Sequence, residues 1–308
     1  LKLLLKLGEY DSFRKKYHEL RKQSSSPILM RELAKYCLFV EKDYIRAKKV
    51  LQKVSSRDAS QPAWVHYFSG KRVPYFEKLC NGLLYTAIPK NASTSLKTFI
   101  IKEVLKQEGV NPHSVFGNPF FKHNIYTPEV VDTSKKVAVI RQPEKRFFSY
   151  YTKNILSENS LAFEYGVHNT DCEELFGLKL KPSLDEFIAN FDRYCLIFND
   201  VFHHTLPQAA YVGDLSKYDY VCDVSEVDSL VAYVAGCLNI DSSASVKAPK
   251  EMVGNSVKIE VSDFAAKKVK SFYSDDYDVL SFAYENHSIT NKIKSYSSAN
   301  NIYSFLEN

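Results

Sequence analysis

The chain has no long apolar run. None of its 308 residues lies in a stretch approaching the ~18 consecutive apolar residues of a membrane-spanning helix. Leu1 to Leu7 is too short, and too interrupted by lysine, to act as an anchor, and no signal peptide is visible. The six cysteines (37, 80, 172, 195, 222 and 237) follow no framework spacing, so a disulfide-stapled scaffold is not indicated. Cys80, Cys222 and Cys237 stand in apolar surroundings and read as buried free thiols. His203 and His204 are adjacent, yet no Cys/His/Asp spacing makes a credible metal site. A large excess of one charge is also missing. The net charge of +5 suits an anionic nucleotide or an acidic glycan and is too small to argue for nucleic acid. The length and composition fit one large α/β domain with a helical appendage.

The most informative stretch is Leu83-Leu84-Tyr85-Thr86-Ala87-Ile88-Pro89-Lys90-Asn91-Ala92-Ser93-Thr94-Ser95-Leu96. An apolar run of strand type ends in Pro-Lys, small polar residues follow, and a helical pattern begins (Leu96, Phe99, Ile100). A helix N-terminus leaves backbone N–H groups unpaired and favours negative charge. Ser93, Thr94 and Ser95 add hydroxyls, and Lys90 adds a cation. This predicts a phosphate-type anion site from Lys90 through Asn91 and Ala92 to Ser95. Read alone, the loop also fits an ordinary βα turn with a serine-rich N-cap. A P-loop NTPase would place glycines in the loop and lysine at its end. Here the loop has no glycine, and Lys90 stands at its start.

A second strand–loop–helix pattern lies at Lys136-Val137-Ala138-Val139-Ile140, followed by Arg141-Gln142-Pro143 and a helix from Glu144 to Tyr151. Pro143 suits a first helical turn. Arg141 sits at the strand end, and Ser149 lies two turns into the helix. The Pro-Lys-x-Ala-Ser-Thr-Ser loop resembles the 5′-phosphosulfate loop of sulfotransferases that use 3′-phosphoadenosine-5′-phosphosulfate (PAPS). It is close to the carbohydrate sulfotransferases of the heparan sulfate 2-O-sulfotransferase type. Arg-x-Pro-x-x-Arg-x-x-Ser resembles the 3′-phosphate segment of the same family. Arginine's rigid fork matches phosphate, and a serine hydroxyl adds a directional bond.

The resemblance extends over about residues 80 to 286, more loosely than at the two loops. It implies a general base in the connection between the two segments. His123 matches that place best, with His113 as the alternative and a plain solvated histidine as the other reading. Imidazole suits the task because its ordinary pKa lies near neutrality. His204-Thr205-Leu206-Pro207-Gln208 resembles the family's His-x-x-Pro-Gln, so His204 joins His113 as a candidate at the substrate site. Tyr218 to Val221 resembles the next strand. Val224-Ser225 stands where the family often has Phe-Glu, which leaves an acidic role there unsupported. Tyr273 to Tyr277 resembles a closing Tyr-x-x-Asp-Tyr pattern, with simple packing an equal reading.

The first eighty residues carry helical periodicity and no strand-like run. Gly8-Glu9-Tyr10 and Lys42-Asp43-Tyr44 read as equivalent turns 34 residues apart, the period of tetratricopeptide repeats. Helices are predicted over Ala34–Val40 and Tyr44–Val54. Repeats stack for stability, so these helices either dock on the catalytic domain or follow further repeats before Leu1. The clustered basic residues here, such as Lys15, Lys16, Arg21 and Lys22, read as a solvated face, with an acidic protein partner second.

The expected architecture is α/β: a P-loop-like parallel sheet flanked by helices (79–308), preceded by an all-α helical-repeat segment (1–78). The resemblance implies sulfuryl transfer from PAPS to a carbohydrate hydroxyl, with 3′-phosphoadenosine-5′-phosphate (PAP) as product. Lys90 and His123 would be catalytic, and residues 90–95 with Arg141 and Ser149 would hold the nucleotide. No metal, nucleic acid or membrane span is expected, and an acidic polysaccharide is one possible acceptor. Asn91-Ala92-Ser93 is formally a glycosylation acceptor, and a glycan would block the loop. This favours a cytoplasmic, bacterial-type setting, with the Golgi lumen as the alternative if an anchor was removed. The rival readings are a nucleotide kinase and a repeat scaffold with a decayed transferase domain.

Overall fold

The computed structural model describes residues 1–55, 61–80, 82–116, 128–165, 169–240 and 259–286. Helices α1 (Lys2–Lys6), α2 (Tyr10–Gln23), α3 (Pro27–Tyr36), α4 (Tyr44–Ser55) and α5 (Ala63–Phe68) open the chain. Ser26 caps α3 through its hydroxyl, and Pro27 occupies the first turn, so this helix starts earlier than periodicity indicates. It continues as a π-turn over Cys37–Glu41 and stops at Lys42, whose φ is +57°. Gly8 has φ +77°. Both members of the 34-residue pair therefore turn the chain through a left-handed residue two positions before a helix that opens on tyrosine.

Four strands follow: β1 (Glu77–Cys80), β2 (Leu83–Thr86), β3 (Lys135–Ile140) and β4 (Tyr220–Asp223), in sheet order β1-β2-β3-β4. β2, β3 and β4 are parallel, whereas β1 pairs antiparallel with β2. The sheet is therefore mixed, and a strand does occur within the first eighty residues. Four residues at a sheet edge are too few for alternation to declare them. β4 starts two residues later than expected, because the Tyr218 N–H closes the preceding 3-10 turn on Leu215 O at 3.1 Å. Among the flanking helices, α6 (Ser93–Glu103) follows β2 and packs with α7 (Pro112–Phe116). Next come α8 (Pro128–Thr133) and then α9 (Pro143–Tyr150), which continues as a π-turn over Tyr151–Ser157. Then come α10 (Ser160–Tyr165), α11 (Asn169–Phe176), α12 (Leu184–Ala189), α13 (Phe191–Ile197), α14 (Asn199–Thr205), α15 (Ala209–Val212), α16 (Val227–Cys237), α17 (Asp263–Phe272) and α18 (Ser274–Asn286).

Strand alternation divides the core between the two faces of the sheet. Leu84, Ala138 and Ile140 join one cluster, which also holds Leu5, Phe13, Leu33, Phe147 and Phe198. Tyr85, Val137 and Val139 face a smaller cluster with Phe99, Ile100 and Leu230. The N-terminal helices thus share a core with the sheet. Lys97 of α6 meets Glu77 of β1 at 2.6 Å with both side chains buried, fixing α6 over its face. Cys222 is buried and Cys80 half-buried, but Cys237 is exposed, because it ends α16 on the outward side.

Candidate active site

In parallel strands all C-terminal ends point the same way, so the loops after β2 and β3 lie side by side. The first loop makes an unusual turn. Lys90 (φ +67°) and Ala92 (φ +54°) both occupy the left-handed region, which costs a non-glycine residue roughly 1–2 kcal/mol. Buried Asn91, between them, holds the turn. Its side-chain amide donates to Val139 O at 2.8 Å and to Gln208 Oε1 at 2.7 Å. Asn91 has no exposed surface, so in the folded chain its amide is closed to glycosylation. The turn delivers Ala92 to the start of α6, where no side chain caps the helix. The hydroxyls of Ser93 and Ser95 make no hydrogen bond among the described residues. The Thr94 hydroxyl lies 3.2 Å from His113 Nε2, bringing that histidine to the loop.

Arg141 follows β3 directly. Its Nη1 donates to Lys90 O at 2.8 Å, bracing the first loop from the second. Its Nε is buried without a partner among the described residues, and burial lowers its pKa. The Lys90 ammonium donates to Asn154 Oδ1 at 3.0 Å. Burial first, then the neighbouring Lys153, brings the Lys90 pKa down to about 8. Ser149 is half-buried on α9, and its hydroxyl has no partner among the described residues. Here an uncapped helix end, two cations and unengaged hydroxyls stand at one sheet edge. Such a set can hold a doubly phosphorylated ligand.

Sequence patterns did not disclose what joins the loops. Gln208, fully buried, receives Arg141 N on Oε1 at 3.0 Å and donates from Nε2 to Arg141 O at 2.8 Å. The same Oε1 accepts from Asn91, so one amide fixes both loops. Asp276 of α18 holds this glutamine in turn. It accepts from Ala209 N at 2.9 Å and from Gln208 Nε2 at 3.3 Å. Burial raises Asp276 to about 6, with Arg146 opposing the shift. This gives Pro207-Gln208 and the Tyr-x-x-Asp-Tyr pattern a joint structural meaning. Tyr273 donates to Thr205 O at 2.7 Å, and Tyr277 bonds Glu144.

Arg146, the second arginine of Arg-x-Pro-x-x-Arg, has no exposed surface. Its Nη1 donates to His204 O at 2.9 Å, and its Nη2 to Thr205 O at 3.3 Å and Leu206 O at 2.5 Å. It closes the C-terminus of α14 and has no free face for a ligand. His204 stacks on Tyr150, the neighbour of Ser149, at 5.2 Å between ring centres, and bonds Asp200. None of its hydrogen bonds reaches residues 90–95. His123 lies outside the described residues.

The sequence model of the sulfotransferase family matches residues 78–284. No curated protein and no solved structure matches the chain. The matched span covers well over half of the chain and contains the loops after β2 and β3, Gln208 and Asp276. The chain belongs to the sulfotransferase family.

Proposed function

We propose that the protein moves a sulfuryl group from PAPS to a hydroxyl of a carbohydrate acceptor, releasing PAP. The observation that carries this reading is the Gln208 clamp, which holds the loops after β2 and β3 against each other, with Arg141 of the second loop bonded to Lys90 O of the first. In this reading Lys90 and residues 91–95 hold the 5′-phosphosulfate, while Arg141 and Ser149 hold the 3′-phosphate. PAPS supplies the activated sulfuryl group. Lys90 stabilises charge on the departing phosphate oxygen. Catalysis otherwise comes from positioning. By resemblance His123 would take the acceptor proton, with His113 second. Residues 1–78 form a tetratricopeptide-like segment able to take a protein partner, and 79–308 the transferase domain. No helix among the described residues is long and apolar enough to cross a membrane.

A thermal-shift comparison tests the nucleotide. PAP is expected to raise the midpoint, with ~2.7 kcal/mol of stabilisation at a hundredfold excess over Kd. ATP with Mg²⁺ should shift it far less. An equal or larger shift with ATP would instead favour the kinase reading. Arg141→Ala should weaken PAP by ~1.5–3 kcal/mol more than its analogue lacking the 3′-phosphate. The loss common to both ligands reports the brace on Lys90 O, and the excess reports the 3′-phosphate. No excess would remove that assignment.

Lys90 also predicts a pH dependence. Its pKa in the free protein is about 8, and a bound anion favours the protonated form. Above that pH, binding must therefore take up a proton. PAP affinity should fall as pH rises through about 8, by up to ~10-fold per unit. Calorimetry at pH 7 and pH 9 measures this. An affinity that is flat across the interval would mean Lys90 does not meet the ligand.

A further inference from the structure

Beside the helix that reaches Lys90 lies a carboxylate–imidazole pair that the loops after β2 and β3 do not use. Asp200 and His204 lie one turn apart on α14, each with 24% of its side chain exposed. His204 Nδ1 lies 3.0 Å from Asp200 O and 3.1 Å from Asp200 Oδ1. The other carboxylate oxygen accepts from Tyr150 OH at 2.8 Å and from Ser160 Oγ at 2.9 Å. Burial of Asp200 opposes ionisation, but the bonds from His204, Tyr150 and Ser160 prevail and hold its pKa down at about 2. An ionised acceptor at Nδ1 fixes the proton there. Nε2 is then the basic atom, and it enters no hydrogen bond among the described residues. Tyr150 lies flat on the ring, with 14° between planes, so rotation is restricted. His203, on the other side, is engaged with Tyr211.

The same helix face relates this pair to the anion loops. On α9 and its π-turn, Arg146 bonds His204 O, Tyr150 meets the His204 ring, and Asn154 bonds Lys90 Nζ. Tyr150 and Asn154 are one turn apart, ~6 Å along the axis. Asp200 is also near enough to Lys90 to act on it electrostatically.

We propose that His204, oriented by Asp200, is the proton acceptor for the acceptor hydroxyl during sulfuryl transfer. This rests on the sulfotransfer reading and competes with His123 for the same proton. As the acceptor oxygen forms its bond to sulfur, the bond from sulfur to the 5′-phosphate oxygen breaks and PAP leaves. The hydroxyl proton passes to His204 Nε2. Asp200 acts through His204 and is a positioning residue.

The test follows PAPS turnover with de-O-sulfated heparin and, separately, with water as acceptor, since water must also lose a proton. His204→Ala is expected to lower kcat ~10²-fold or more, with PAP affinity unchanged within about twofold. Added imidazole should restore part of the lost rate. Asp200→Asn should cost ~10-fold in the native background and nothing further in His204→Ala, as for residues acting as one unit. His204→Gln repeats these readouts if the alanine variant folds poorly. The proposal is overturned if His204→Ala turns over normally while His123→Ala is inactive. It is equally overturned if the rate loss tracks PAP affinity and imidazole does not rescue, because the pair is then only a helix-end contact. If PAP does not stabilise the native protein, the sulfotransfer reading fails, and this one with it.

Discussion

Lys90→Ala is expected to lower kcat by ~10²-fold or more, the scale of losing one transition-state donor. Stability should not fall with it. The ammonium is half-buried near Lys153 and Arg141, and that environment already lowers its pKa. A cation held below its ordinary pKa is disfavoured by the fold, so its removal relieves a cost. The variant gives up one hydrogen bond, to Asn154. Alanine keeps the same Cβ at φ +67°, so the strain of the turn is unchanged. The expected pattern is an unchanged or slightly higher Tm, weaker PAP binding and little turnover. A variant with near-normal kcat would exclude Lys90 from the chemistry.

Arg146→Met should act the other way, on stability before activity. Its guanidinium serves three carbonyls at the end of α14 and lies over the Tyr273 ring at 5.2 Å. It is also the cation that opposes the raised pKa of buried Asp276. Methionine fills the space but satisfies none of these groups. Breaking a buried charged set by removing one member costs ~3–5 kcal/mol. Urea unfolding should show a lower midpoint at an unchanged m-value. Adding Asp276→Asn should recover part of the loss, since the uncompensated carboxylate is then gone. Lys145→Met, exposed next door, should stay within ~0.5 kcal/mol. If Arg146→Met loses under ~1 kcal/mol, the network is not a structural unit.

Both variants lie in the two segments that the sequence made most legible, yet their roles were not equally readable. Strand, loop and helix at Leu83–Glu103 and at Lys135–Tyr150 are local patterns. Apolar runs, Pro143 in a first turn and small polar residues at a helix start act within a few positions. The places of Lys90 and Arg141 beside their strands follow from that. So does the 34-residue pairing of Gly8 with Lys42, because a turn is a local event. The amino-acid order by itself therefore determined the α/β class, the two loops and the family.

Tertiary structure alone decided which polar groups meet. Gln208 lies 67 residues from Arg141 and 117 from Asn91, and Asn154 lies 64 from Lys90. Arg146 and Arg141 look alike in a motif, but Arg146 is committed to carbonyls 58–60 residues away. Local periodicity carries no information about such partners. A hydrogen bond needs about 3 Å and a suitable angle, and only the packed chain sets both. The antiparallel edge strand, the exposed end of α16 at Cys237 and the pairing of Asp200 with Tyr150 were hidden for the same reason. Each depends on what a neighbouring element leaves open, which only the folded chain decides.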